Sequence, residues 1–203
     1  MASLEQILVI ERRIVEQVGI FHGLAFDVQR YLDAIFAPGV PRFMSRPQAE
    51  NDPSFKQIIP YVIMSCGDKY LSYVRGKRAG ETRLAAKRSI GIGGHINPAD
   101  DMPLFCDYYQ TYLAAVQREV DEEVNVETGH TDNVIALLND DSNEVGQVHL
   151  GIVHHWVLDE PKVSKREQMI AQMSFMTLDE LLQVQDTLET WSALCLEHLV
   201  AAV

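Results

Sequence analysis

The 203 residues are 47% hydrophobic and 23% charged, ordinary values for a globular chain with one sizeable core. A formal charge of −12 argues against a general nucleic-acid binder or an anionic-membrane binder. No apolar run reaches bilayer-spanning length, and the opening "MASLEQILVIERR" has neither a basic n-region nor a signal-type cleavage site. Cys66, Cys106 and Cys195 are scattered, without metal-binding spacing, so a reducing, cytoplasmic setting is the expectation.

In chain order, residues 4–18 place Leu4, Ile7, Leu8, Ile14, Val15 and Val18 at helical spacing, which predicts a first helix. A second is expected over 26–36. Pro38, Pro41, Pro47 and Pro53 then punctuate an irregular stretch. "YVIMSCGDKYLSYVR", 61–75, reads as a hairpin turning at Gly67-Asp68. A polar arm, 75–88, follows. It holds Arg75, Lys77, Arg78, Arg83, Lys87 and Arg88, six of the seventeen Lys and Arg. Residues 89–103 form a loop rich in Gly and Pro, 107–124 a helix, and 133–140 and 146–158 strands. "TLDE", 177–180, and "DTLE", 186–189, read as capping boxes opening two C-terminal helices. Strands on both sides of a helix predict one α/β domain with a mixed sheet.

The helix over 107–124 carries the chemistry. Leu113, Val116, Val120 and Val124 form an apolar stripe. Glu119, Glu122 and Glu123 fall within about 100° of arc on its flank. Three carboxylates so close repel one another, and they sit where the helix dipole disfavours anions. A divalent cation would remove both penalties, and hard oxygen donors suit Mg²⁺ or Mn²⁺. A solvated helix face is the alternative for the cluster taken alone. Just upstream, Gly91, Gly93 and Gly94 allow a backbone loop to approach a metal or a phosphate closely.

This combination resembles the Nudix hydrolase family, whose box reads G-x5-E-x7-R-E-U-x-E-E-x-G-U with U apolar. Gly94 matches the first glycine. Arg118, Glu119, Val120, Glu122 and Glu123 match R-E-U-x-E-E, and Val126 matches the final U. The early Glu is replaced by Asp100 or Asp101. Asn125 stands for the last glycine, as a residue suited to a left-handed helix terminus. Gly94 to Arg118 spans 24 positions where the pattern has about 14, so about ten residues are inserted. The resemblance covers roughly 58–185, including "FMTLDELL" as the closing strand-to-helix junction.

The resemblance implies an α/β Nudix fold, with a mixed β-sheet sandwiched between helices. It divides the chain into an N-terminal helical extension, 1–57, and a hydrolase domain, 58–203. It also implies metal-dependent cleavage of a phosphoanhydride in a nucleoside diphosphate linked to another group. Glu119, Glu122 and Glu123, with the carbonyl of Gly94, would hold Mg²⁺ or Mn²⁺, and Arg118 would orient the carboxylates. Glu122, Arg118 and Glu167 are the catalytic candidates, with Glu167 as general base and Glu144 as alternate. Arg75, Arg78, Arg83, Gly93 and His95 are the substrate-binding candidates. His149, His154 and His155 read as structural, and Tyr108, Tyr109 and Tyr112 as packing for the helix's first turns. The partner expected is a small nucleotide derivative, with no nucleic acid and no membrane; a homodimer is the expected assembly. The rival reading is a Nudix-fold module that binds a nucleotide without cleaving it. An isomerase of the prenyl-diphosphate type would share the fold, but neither Cys66 nor Cys106 matches its catalytic position. If the basic arm grips phosphate, Arg83→Ala raises KM for a phosphate substrate more than it lowers kcat, as steady-state kinetics would show.

Overall fold

The computed structural model describes residues 5–76, 87–100, 107–166 and 170–201. Twelve strands and seven α-helices are described there. They are β1 (Gln6–Glu11), α1 (Arg12–Val18), β2 (Gly23–Ala25), α2 (Val28–Ile35), β3 (Arg42–Ser45), α3 (Arg46–Ala49), β4 (Phe55–Cys66), β5 (Lys69–Arg75), β6 (Arg88–Ser89), β7 (Gly91–Gly93), α4 (Tyr108–Glu123), β8 (Val124–Val126), β9 (His130–Asn139), α5 (Glu144–Gln147), β10 (His149–Leu158), β11 (Val163–Lys165), β12 (Ile170–Thr177), α6 (Leu178–Gln183) and α7 (Thr190–Ala201). Ten of these strands join a mixed sheet flanked by helices, with the order β12-β5-β4-β10-β9-β2 along its longest path. Strands β4 and β10 run parallel. Gln57 N–H donates to Val148 O at 2.8 Å near their starts, and Ser65 Oγ meets His155 Nε2 at 2.8 Å near their ends. The fold divides into two compact units, one of residues 1–61, 93–118 and 135–153, the other of 62–92, 119–134 and 154–203.

In the first unit, the opening segment departs from its helical spacing. Residues 6–11 form strand β1, and only 12–18 are helical. Ile7, Leu8, Val9 and Ile10 are all buried, which one stripe of an amphipathic helix does not allow but a strand covered on both faces does. Ile7 and Val9 pack with Ala49, Met44 and Phe55 on one face. Strand β1 pairs antiparallel with β3 and with the start of β4. The proline-punctuated stretch therefore holds a strand and a short helix, β3 and α3, where irregular chain was expected. Helix α2 falls inside its expected span and buries Tyr31, Leu32 and Ile35. Residues 5–57 thus carry three helices, three strands and the start of a fourth.

A buried lysine organises the same unit. The Lys56 side chain is 1% exposed. Its Nζ donates to Asn139 Oδ1 and Asp141 Oδ1, both at 2.7 Å, to Gly146 O at 2.9 Å and to His149 O at 3.2 Å. Arg12 pairs with the same Asp141 and donates to Gln147 O. Burial lowers the Lys56 pKa, and Asp141 opposes that shift. The loop it ties down, 139–149, is tight. A Cβ on Gly146 would lie 1.7 Å from Asp140 O, so only glycine fits. Helix α5, capped by Asn143, occupies the first two positions expected as strand, and β10 begins at His149.

The second unit holds the predicted hairpin, with Ser65 opposite Tyr70 and Cys66 opposite Lys69. Gly67 takes the left-handed conformation its turn needs, φ +60°. Strand β5 continues the sheet to β12 and β6. Thr177 and Glu180 form the expected capping box of α6. The "DTLE" expectation is corrected. Asp186 lies in a 3-10 turn, and Glu189 alone caps α7, accepting from Trp191 N and Ser192 N. Ser192 Oγ in turn accepts from Ile90 N–H at 2.9 Å, which fastens the start of the glycine-rich segment.

Lys56→Met should lower unfolding free energy by about 2–4 kcal/mol, because it leaves Asp141 and two loop carbonyls short of a buried donor. Urea titration checks this, and Lys69→Met, exposed at the hairpin turn, should shift the midpoint far less.

Candidate active site

Helix α4 ends at Glu123, one residue earlier than expected. Val116, Val120 and Val124 are buried, while Leu113 is only half-buried. Tyr112 is fully buried, and Tyr109 and Tyr112 pack their rings on Phe36, with centroids 5.2 and 5.3 Å away. The tyrosines thus hold the helix's first turns.

Within the first unit, Arg118 is clamped. Its Nε donates to Asp100 Oδ1 at 2.5 Å, and its Nη2 donates to Asp100 Oδ2 at 2.9 Å and to His95 O at 2.8 Å. Asp100 is buried, in a 3-10 turn, and also accepts from Asn97 N–H at 2.7 Å. A bidentate Arg–carboxylate pair with a buried partner is among the stronger side-chain contacts. Of the two acids expected near the early-Glu position, Asp100 is the one that pairs with Arg118 among the described residues. Asp101 lies outside the described residues.

The glycine segment is more ordered than a loop. Gly91–Gly93 form β7, which pairs with β4. A Cβ on Gly93 would lie 2.5 Å from Pro60 O, so this glycine permits the close approach of two backbones. Gly94 follows directly. His95 Nε2 donates to Gln57 Oε1 at 2.9 Å, and its ring lies 5.7 Å from that of His149. Burial, reinforced by the nearby Arg46, His149 and Arg118, pushes the His95 imidazole down to about 3. It is neutral near pH 7, an uncharged donor and acceptor rather than a cationic phosphate ligand.

In the second unit, Glu119 and Glu123 are half-buried and Glu122 is exposed. Among the described residues no three His, Cys, Asp or Glu side chains gather as a metal cage. The helix ends without a left-handed terminator. Asn125 is extended in β8, opposite Ser164 of β11. Arg166 supplies the ending instead. Its Nη1 donates to Asp121 O at 2.7 Å, and its N–H donates to Glu123 O at 3.0 Å. A cation on the last carbonyls offsets the dipole that opposes Glu122 and Glu123.

The side chain of Arg75 and the whole of Arg78, Arg83 and Glu167 lie outside the described residues. Glu144 is exposed on α5. His154 is buried and pairs with Asp132 at 2.7 Å. Sequence reasoning missed Gln57, Asn97 and Arg166. None belongs to a motif, and each acts only through its position in the fold.

No family model matches the sequence. Protein YmaB of Bacillus subtilis (strain 168) is 37% identical over 158 residues, 74% of this chain and 74% of that protein. The crystal structure of Tm1382, a protein proposed to be a Nudix hydrolase, matches with a TM-score of 0.80 at 27% identity. It covers 98% of this chain and 100% of Tm1382. A bifunctional NMN adenylyltransferase/ADP ribose pyrophosphatase from Francisella tularensis, crystallised with AMP and a Mn ion, matches at TM-score 0.52 and 14% identity. That match spans 72% of this chain and 42% of that one, and it speaks to the fold alone. The chain belongs to the Nudix hydrolase family.

The unfolded His95 imidazole takes up a proton near pH 6.5, the folded one only near 3. Its contribution is therefore complete above pH 6.5 and lost as pH falls below it, by up to about 1.4 kcal/mol per unit. Tm should drop between pH 7 and 4.5, and His95→Phe should flatten that slope in calorimetry. Equal slopes in the two proteins would show that His95 is not the group responsible.

Proposed function

We propose that the chain hydrolyses the phosphoanhydride bond of a nucleoside diphosphate linked to another group, with Mg²⁺ or Mn²⁺ as cofactor. The observation that carries this reading is the run Arg118–Glu123 on the last turns of α4, with Arg118 clamped to Asp100 and Arg166 bound to the helix end. The donor set fits a hard divalent ion by its chemistry, three carboxylates on one arc of a helix. Glu119, Glu122 and Glu123 would hold it, and the resemblance adds the Gly94 carbonyl. When bound, the ion supplies charge neutralisation and an activated water.

The chain's own residues do the rest. The Arg118–Asp100 pair fixes the helix face from which the carboxylates project. Glu167 takes the proton of the attacking water as its oxygen bonds to phosphorus and the bridging oxygen leaves with the second product. Arg75, Arg78 and Arg83 grip the phosphates electrostatically. No described helix is long and apolar enough to cross a membrane. The cytoplasmic setting, the homodimer and the absence of nucleic-acid binding belong to the same proposal, from composition and family resemblance.

The test is a panel of nucleoside diphosphate derivatives, ADP-ribose included, assayed with Mg²⁺ and with Mn²⁺. Turnover should require the metal, and Glu122→Gln should lower kcat about 100-fold or more while KM changes little. No turnover on any compound, with nucleotide stabilisation equal in wild type and variant, would instead identify a binding module.

A further inference from the structure

The loop that carries Gly94 is backed by residues outside the family box. Gln57, in β4, is fully buried. Its N–H donates to Val148 O, and its Oε1 accepts from His95 Nε2 at 2.9 Å. The other end of the same amide, Nε2, is buried and has no partner among the described residues. A buried amide left half-satisfied is costly, and a leucine of similar size would avoid the cost. What the glutamine supplies, and a leucine would not, is the bond to His95.

His95 carries that restraint onward. Its ring lies against His149, and its carbonyl accepts from Arg118 Nη2 at 2.8 Å. On either side the backbone is already fixed. Gly93 abuts Pro60 O, and Ile96 O accepts from Leu8 N–H at 2.9 Å. Backbone contacts therefore hold the two ends of the segment 93–96, and the Gln57–His95 bond holds its middle. Arg118, at the far end of this relay, directly precedes Glu119 in α4.

We propose that Gln57 is a positioning residue for the hydrolytic reaction. It acts through His95 on the Gly94–His95 backbone and on Arg118. This inference rests on the metal-dependent reading above and extends it to a residue on a different strand.

Mn²⁺ alone is the probe. Wild type, Gln57→Leu, His95→Phe and the double variant are compared by electron paramagnetic resonance titration. Histidine ¹⁵N spectra are recorded at pH 7.5. Wild-type His95 should show one fixed tautomer, and Gln57→Leu a mixture. Each single variant should bind Mn²⁺ about 10-fold more weakly, and the double variant no more weakly than either. An unchanged tautomer in Gln57→Leu, or Mn²⁺ losses that add in the double variant, overturns the proposal. Should Gln57→Leu not fold, His95→Phe carries the test, and wild-type affinity in it overturns the proposal. A wild-type chain that binds no Mn²⁺ sinks the metal reading and this proposal together. A wild-type chain that binds it while the folded variants bind equally well sinks this proposal alone.

Discussion

The ion pair between Arg118 and Asp100 is the contact on which the rest of the candidate site depends. Asp100 is buried and cannot keep its charge there without compensation. It finds that compensation in a bidentate guanidinium and a backbone N–H from Asn97. The pair joins the turn after the glycine segment to the helix that carries the carboxylates. Because Arg118 also bonds to His95 O, the same guanidinium sets the height of the segment against the helix. The glutamates that follow are left half-buried or exposed.

Behind this contact stands a scaffold of buried polar groups on β4. Lys56 and Gln57 are adjacent, and alternation along the strand sends their side chains to opposite faces. Lys56 ties down the 139–149 loop, and Gln57 meets His95. Strand β1 covers the start of β4 and donates from Leu8 N–H to the segment after Gly94. Strand β1 is thus part of the same sheet as β4. At the other end of α4, Arg166 occupies the carbonyls that the glutamates would otherwise leave facing an unfavourable dipole.

Much of this was legible in residue patterns. The hairpin at Gly67, helix α4, the capping box at Thr177 and the R-E-U-x-E-E run each declare themselves within a few neighbouring residues. What misled was also local. Ile7, Leu8, Ile14, Val15 and Val18 fit a helical stripe only if the adjacent Val9 and Ile10 are left out. Those two are what a strand buried on both faces requires. "DTLE" has the letters of a capping box, but the chain there turns through a 3-10 segment and caps with Glu189. Asn125 suited a left-handed terminus, yet pairing with β11 draws it into extended chain.

By itself the sequence determined the elements whose signals are short-ranged and the chemical character of the site: hard carboxylate donors at helical spacing behind a glycine-rich turn. Periodicity, turn residues and charge spacing act between residues near in sequence, so they survive without a fold. Only the tertiary structure decided which acid meets Arg118, what stands behind His95 and what ends α4. Asp100 to Arg118, Gln57 to His95 and Asp121 to Arg166 are pairs separated by 18, 38 and 45 positions. Their bonds exist only once the sheet has brought distant segments within about 3 Å of each other, a distance that no local pattern encodes.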